Sequence, residues 1–146
     1  MNVRFRQLKT KDYPAVVGLL QQLGYQDNTV PLFSRRCRII KKHNGIIFVA
    51  ENDAKAVIGF AALALLPMVH CDGFLARILD FCIDENERST GIGTSFVHFI
   101  ESYCVQKDCV SLEVTTRLVR QRAHQFYLFN GFLETHKHYN KPPNRA

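Results

Sequence analysis

One stretch restricts this chain more than any other: Asp84-Glu85-Asn86-Glu87-Arg88-Ser89-Thr90-Gly91-Ile92-Gly93-Thr94-Ser95. An apolar run, Ile78-Leu79-Asp80-Phe81-Cys82-Ile83, precedes it, and Ile92, Phe96, Phe99, Ile100 and Tyr103 follow at helical spacing. The pattern is a strand, a polar loop, two glycines two apart and a helix that begins at once. The first turn of a helix leaves backbone N–H groups without acceptors, and the macrodipole makes that end positive. Glycines there let phosphate oxygens approach the amides directly. Arg88 adds a fixed positive charge, and Thr94 and Ser95 offer hydroxyls. The segment suits a pyrophosphate, although a tight turn needing positive φ explains the glycines equally well. It lacks the Gly-Lys-Ser/Thr ending of a P-loop, and no earlier glycine completes a dinucleotide G-x-G-x-x-G.

The rest of the chain alternates strands and helices. Val3 to Leu8 predicts a strand. Asp12 is placed to cap a helix running through Leu23, with Pro14 in its first turn and Gly24 beyond its end. A second helix is expected from about Pro31 to Lys42, then a hairpin of Ile46–Glu51 and Val57–Leu66 around Asn52-Asp53. Arg77–Asp84 predicts a strand, Gly91–Gln106 a helix, Val110–Thr116 a strand and Val119–Phe129 a helix. Phe132–Tyr139 is expected to close the chain as a strand. The strand–helix–strand unit from Arg77 to Thr116 predicts a parallel pair with a right-handed crossover. A length of 146 residues suits a single domain over residues 1–146, of the α/β class in its α+β form.

Charge matters here because of the phosphate-binding pattern. The formal net charge of +6 favours a polyanion: nucleic acid, a membrane surface or a phosphorylated cofactor. Basic residues are dispersed apart from Arg35-Arg36-Cys37-Arg38 with Lys41-Lys42, and Arg117, Arg120 and Arg122. Aromatic residues do not interleave with them on any predicted strand, and no helix-turn-helix or zinc pattern appears, so no nucleic acid is expected. No apolar run nears the ~18 residues of a membrane span, and Met1 to Arg6 lacks the apolar core of a signal peptide. The five cysteines, Cys37, Cys71, Cys82, Cys104 and Cys109, are odd in number and form no C-x-x-C pair. They are expected to be reduced core residues of a cytoplasmic protein. His136 and His138 alternate near the end, but two histidines do not make a metal site, and none is expected.

Arg88-Ser89-Thr90-Gly91-Ile92-Gly93 reads R-x-x-G-x-G, which resembles the acetyl-coenzyme-A signature of the GNAT superfamily. Downstream, Ala123-His124-Gln125-Phe126-Tyr127-Leu128-Phe129-Asn130-Gly131-Phe132 resembles the A-x-x-F-Y-x-x-x-G-F element that closes the cofactor site in many members. The order of the remaining elements is similar to the family's layout, so the resemblance spans nearly the whole chain. It implies a GNAT fold: a mixed, mostly antiparallel sheet of six to seven strands with a splayed parallel pair, and about four helices on both faces. It implies an N-acetyltransferase that moves an acetyl group from acetyl-CoA to a primary amine by direct attack in a ternary complex. The expected acceptor is a small molecule. A protein acceptor and a non-catalytic acetyl-CoA sensor are the alternatives. Many relatives dimerise, which makes a homodimer the family prior.

The resemblance also assigns residues. The pantetheine arm is expected to lie against the backbone of Phe81, Cys82 and Ile83. Core packing is the reading for their side chains. Arg88, Ser89, Gly91, Ile92, Gly93 and Thr94 match the pyrophosphate-binding positions. Tyr127 matches the tyrosine near the cofactor sulfur, where a phenol of ordinary pKa ~10 can donate to a departing thiolate whose thiol has pKa ~8.5. Asp80, expected on one strand face with Ile78 and Cys82, is the first choice of general base, with Glu113 second and water relay open. Thr115-Thr116 stands where many members have a pantetheine-binding asparagine, and Leu79 where an acid is common. Substrate choice is expected to fall to the first two helices, Met68 to Phe74 and the chain's end.

Overall fold

The computed structural model describes residues 1–145. The elements are β1 (Arg4–Gln7), α1 (Tyr13–Gln22), α2 (Val30–Lys42), β2 (Gly45–Glu51), β3 (Val57–Met68), β4 (Cys71–Ile83), α3 (Ile92–Gln106), β5 (Cys109–Val114) and α4 (Gln121–Phe129). They fall into two compact units, residues 1–114 and the chain from Thr115 onward. No helix among the described residues is long and apolar enough to cross a membrane.

The first unit is built on one sheet of order β1-β2-β3-β4-β5, antiparallel up to β4 and parallel between β4 and β5. Because paired residues share a face, the register sorts the core into two layers. Ile47 and Val49 of β2, Phe60 and Ala62 of β3 and Cys82 of β4 pack with Val16, Leu19 and Leu20 of α1 and Phe33 of α2. On the other face Phe5, Phe48 and Phe81 meet the α3 aromatics, with Phe5 stacked on Phe96 at 4.7 Å and Phe81 5.5 Å from the same ring. Both helix layers exist because each strand alternates over two apolar faces, so each face needs a cover.

β4 carries a bulge at Leu79. Ile78 pairs with Leu63 and Asp80 with Ala62, so Leu79 has no partner on β3 and stands exposed. An extra residue bends the strand that carries it. The β4–β5 ladder runs from Phe74–Cys109 to Ile78–Val114 and goes no further, so β4 leaves its parallel neighbour where the bulge sits. The parallel pairing ends beside the bulge, where the bulged strand bends. Ile78, opposite Leu63, is thereby on the α3 face while Asp80, opposite Ala62, is on the α1 face with Cys82. The expectation that Asp80 shares a face with Ile78 is corrected by that one inserted residue.

Four further expectations are corrected. The sheet has five strands rather than six or seven. Phe132 to Tyr139 forms no strand among the described residues; past Phe132 every side chain is exposed, so pairing would bury no apolar face to offset the cost of ordering it. β3 and β4 are longer than the expected Val57–Leu66 and Arg77–Asp84, because they continue pairing to Met68–Cys71 around a turn at Val69-His70. Finally, Asp12 does not cap α1. Its carboxylate accepts from Arg6 Nη1 at 2.7 Å, Arg6 Nη2 at 2.9 Å and the Lys9 N–H at 2.7 Å. Arg6 also donates to Glu51 through Nε and Nη2. The three side chains are nearly inaccessible, at 9% for Arg6 and 4% for each acid. This ionic knot joins β1, β2 and the start of α1.

Candidate active site

The loop between β4 and α3 is held at both ends. Asp84 begins it, and its Oδ1 accepts from the Asn86 N–H at 2.9 Å, an Asx turn that starts a short 3-10 segment at Glu85–Glu87. These donors hold the Asp84 carboxyl below the usual range, the Asn86 amide most of all. Gln22, at the end of α1, donates to Asp84 Oδ2 at 3.3 Å and accepts from the Glu85 N–H at 3.0 Å. Arg88 Nε donates to the Ile83 carbonyl at 3.0 Å, which fixes the guanidinium beside the strand end while the side chain stays exposed. The Thr90 hydroxyl donates back to the Glu87 carbonyl at 2.6 Å. Ser89 and Gly91 both adopt positive φ, 64° and 87°.

Gly91 is the N-cap residue of α3, and no side chain caps the helix there. The first-turn amides of Ile92, Gly93 and Thr94 therefore have neither an intrahelical acceptor nor a capping oxygen. A Cβ at Gly91 would meet no heavy atom within 4 Å, so glycine is required there by its backbone angle rather than by space. Uncapped amides and an anchored arginine are groups that can receive an anion. The turn reading holds for Gly91, whose φ is positive.

Beside this turn lies the divergent end of β4. The Asp84 N–H donates to the Ile58 carbonyl at 2.8 Å, which marks that pair as hydrogen-bonded within the β3–β4 ladder. Alternation then turns the backbone groups of Cys82 and Asp80 toward β3, and those of Phe81 and Ile83 toward the side that β5 has left. The Cys82 side chain is core: 3% exposed, its Sγ lies 3.7 Å from the Leu19 carbonyl. Asp80 has no hydrogen bond or ion pair among the described residues, and burial alone raises its carboxyl above the ordinary value. Glu113 is differently placed. It faces Arg77 across the parallel ladder and accepts from Arg77 Nε at 2.5 Å. Glu113 thus has a cationic partner and Asp80 has none among the described residues, which separates the two choices of base by their surroundings.

In the second unit, Tyr127 sits on α4. The helix ends in a Schellman motif: the Phe132 N–H donates to the Tyr127 carbonyl at 3.0 Å and the Gly131 N–H to the Leu128 carbonyl at 3.1 Å. Gly131 supplies the left-handed residue, φ 84°, and Phe132 folds its ring back to 5.3 Å from Tyr127. Phe126 holds the other edge at 5.2 Å. The F-Y-x-x-x-G-F spacing is thus the signature of a helix stop that fixes one tyrosine ring. Burial pushes the Tyr127 phenol up to about 12, slightly offset by Arg120.

One part of the site and one backbone angle escaped sequence reading. Gln22 clasps the loop from 62 residues away, and no local pattern announces such a contact. Ser89 takes a left-handed angle without being glycine, as does Asn44, so composition gave no warning. Among the described residues no three or more His, Cys, Asp or Glu gather as for a metal ion.

A family model described as the Acetyltransferase (GNAT) family matches residues 3–132. No curated protein sequence matches. Solved structures resemble the fold closely. Glucosamine-6-phosphate N-acetyltransferase from Arabidopsis thaliana is 19% identical, with a TM-score of 0.83 over 99% of this chain and 100% of that one. A transcriptional regulator from Bacillus halodurans is 23% identical, with a TM-score of 0.87 over 97% and 99%. Aminoglycoside 6'-N-acetyltransferase from Acinetobacter baumannii is 17% identical, with a TM-score of 0.82 over 99% and 100%.

Proposed function

Because the chain belongs to the acetyltransferase (GNAT) family, we propose that it acts as one domain over residues 1–146 that transfers acetyl from acetyl-CoA to a primary amine of a small molecule. The observation that carries this reading is the uncapped, glycine-opened N-terminus of α3 next to the divergent edge of β4. The amides of Ile92, Gly93 and Thr94, with Arg88, hold the pyrophosphate. Ser89 shapes the turn that presents them. The outward backbone of β4 at Phe81 and Ile83 faces the pantetheine amides, with the Ile83 carbonyl also held by Arg88. Cys82 takes part only through its place in the strand.

Bound acetyl-CoA supplies the thioester carbon that is attacked. Only a neutral amine has the lone pair for that attack, so Asp80, lifted by burial and free of any counter-charge, accepts the amine's proton directly or through water. As the new C–N bond forms, the C–S bond breaks and the sulfur leaves as thiolate. Tyr127 stays protonated throughout the neutral range, since burial holds its phenol at about 12. Complete transfer of its proton to a thiolate of pKa ~8.5 would be uphill. Tyr127 therefore stabilises the departing sulfur by donating a hydrogen bond, and solvent protonates the thiolate on release.

Calorimetric titration with acetyl-CoA, beside a Gly91→Arg variant that crowds the pyrophosphate-binding amides, tests the proposal. Binding in the micromolar range, lost in the variant, supports it and justifies screening amines for thiol release. A native protein that binds no acetyl-CoA overturns it.

A further inference from the structure

Residues 28–50 contain Arg35, Arg36, Arg38, Lys41 and Lys42 and not one aspartate or glutamate, whereas the rest of the chain has 14 lysines and arginines against 13 acids. Five of the six net charges therefore lie in one segment. All five belong to α2, and all are exposed. Arg36 donates to Asn28 Oδ1 at 2.6 Å and Arg38 to Ser34 Oγ at 3.2 Å, both neutral partners. None of the five forms an ion pair among the described residues. Lys41 and Lys42, in the last turn, complement the helix dipole; the three arginines farther from the end gain nothing from it.

Helical spacing gives the charges a direction. Phe33, Cys37 and Ile40 pack into the core, so Arg35, Arg38 and Lys42 form an outward row on the opposite side. Ile39, 52% exposed, lies along that row. At ~1.5 Å per residue the row is about 10 Å long.

We propose that the outward face of α2 is a docking surface for a short acidic polypeptide segment of a partner protein. Its extent favours this occupant. An extended strand advances ~3.3 Å per residue, so about three or four residues span the row, and alternate acidic side chains meet the arginines. Planar guanidinium groups match carboxylates in paired hydrogen bonds. Ile39 adds an apolar contact for an intervening side chain. A nucleic acid would find no aromatic residue in the row for its bases. A bilayer would need an apolar helix face to bury, and that of α2 is already spent on the core.

The test is fluorescence polarisation in low-salt buffer with a labelled glutamate-rich peptide bearing a central leucine, beside a labelled short duplex DNA and phosphatidylserine vesicles. Native protein should bind the peptide, and Arg35→Glu/Arg38→Glu/Lys42→Glu should weaken it at least about tenfold. Arg4→Glu/Lys137→Glu/Lys141→Glu, which removes the same charge elsewhere, should leave it unchanged. Circular dichroism checks the fold of both, and Arg35→Gln/Arg38→Gln/Lys42→Gln replaces the first variant if that fails to fold. No peptide binding, an equal loss in the control, or tighter binding of the duplex or the vesicles would each overturn the proposal.

Discussion

Tyr127 and Asp80 are both perturbed by burial, and the perturbation acts oppositely on what each can do. Raising a phenol strengthens its hold on a proton, which suits a donor that should not ionise; replacing it by Tyr127→Phe should lower kcat by about 10²-fold while leaving acetyl-CoA affinity intact. A protein that only senses acetyl-CoA would show no turnover to lose, so this variant also separates the two readings. Raising a carboxyl makes it a better base, but only above its own pKa. Activity should rise as pH passes upward through the raised Asp80 value, and the Asp80→Asn variant should lose that limb of the profile. The stability effect runs the other way. A folded-state pKa above the unfolded ~3.9 means that the native state holds this proton longer. Stability from Asp80 is greatest below the unfolded value and is lost as pH rises through the folded one. At neutral pH, Asp80→Asn should therefore raise Tm while reducing kcat, a pairing that a merely structural carboxylate would not produce.

Among the elements, those with a strong local signature were legible and those defined by distant partners were not. α1, α2 and α3 were readable from Pro14, Pro31 and the apolar spacing of Ile92, Phe96 and Ile100, because capping and periodicity act within a few residues. The cradle was readable because its loop, glycines and helix are contiguous. Asp12 looked like a cap because Asp is a good one, yet a guanidinium with two acids offers it a better partner than an amide. Phe132–Tyr139 failed as a strand because extension is local but pairing is not. The Arg6 knot gives an element-scale prediction. Arg6 donors hold the Asp12 and Glu51 carboxyls below their ordinary values. Their contribution is complete above the unfolded values of ~3.9 and ~4.3 and is lost as pH falls through the lower folded ones. Acid unfolding of native protein should thus steepen below about pH 4. Asp12→Ala, which leaves Arg6 and the Lys9 amide short of an acceptor, should lower Tm by roughly 5–10 °C at neutral pH.

For the whole molecule, total composition said less than the placement of a few residues. A net charge of +6 reads as diffuse until α2 is seen to hold most of it. Fold class and the parallel pair followed from element order, since a strand, a helix and a strand leave few ways to connect. The bulge did not follow from anything, because Leu79 is an ordinary residue in an ordinary apolar run. Yet it sits where β5 ends its pairing, and it has no partner on β3. Removing it would bring Ile78–Leu63 and Asp80–Ala62 into unbroken succession, with every neighbouring side chain still on its present face. Such a deletion should let β4 straighten against β5 and extend the ladder beyond Ile78–Val114. The shortened protein is expected to melt no earlier than the parent and to have lost acetyl-CoA binding, both readable in one thermal-shift series with and without ligand. A chain selected only for durability would discard Leu79, so its presence marks a compromise in which the sheet forgoes some cohesion to keep a place for its ligand.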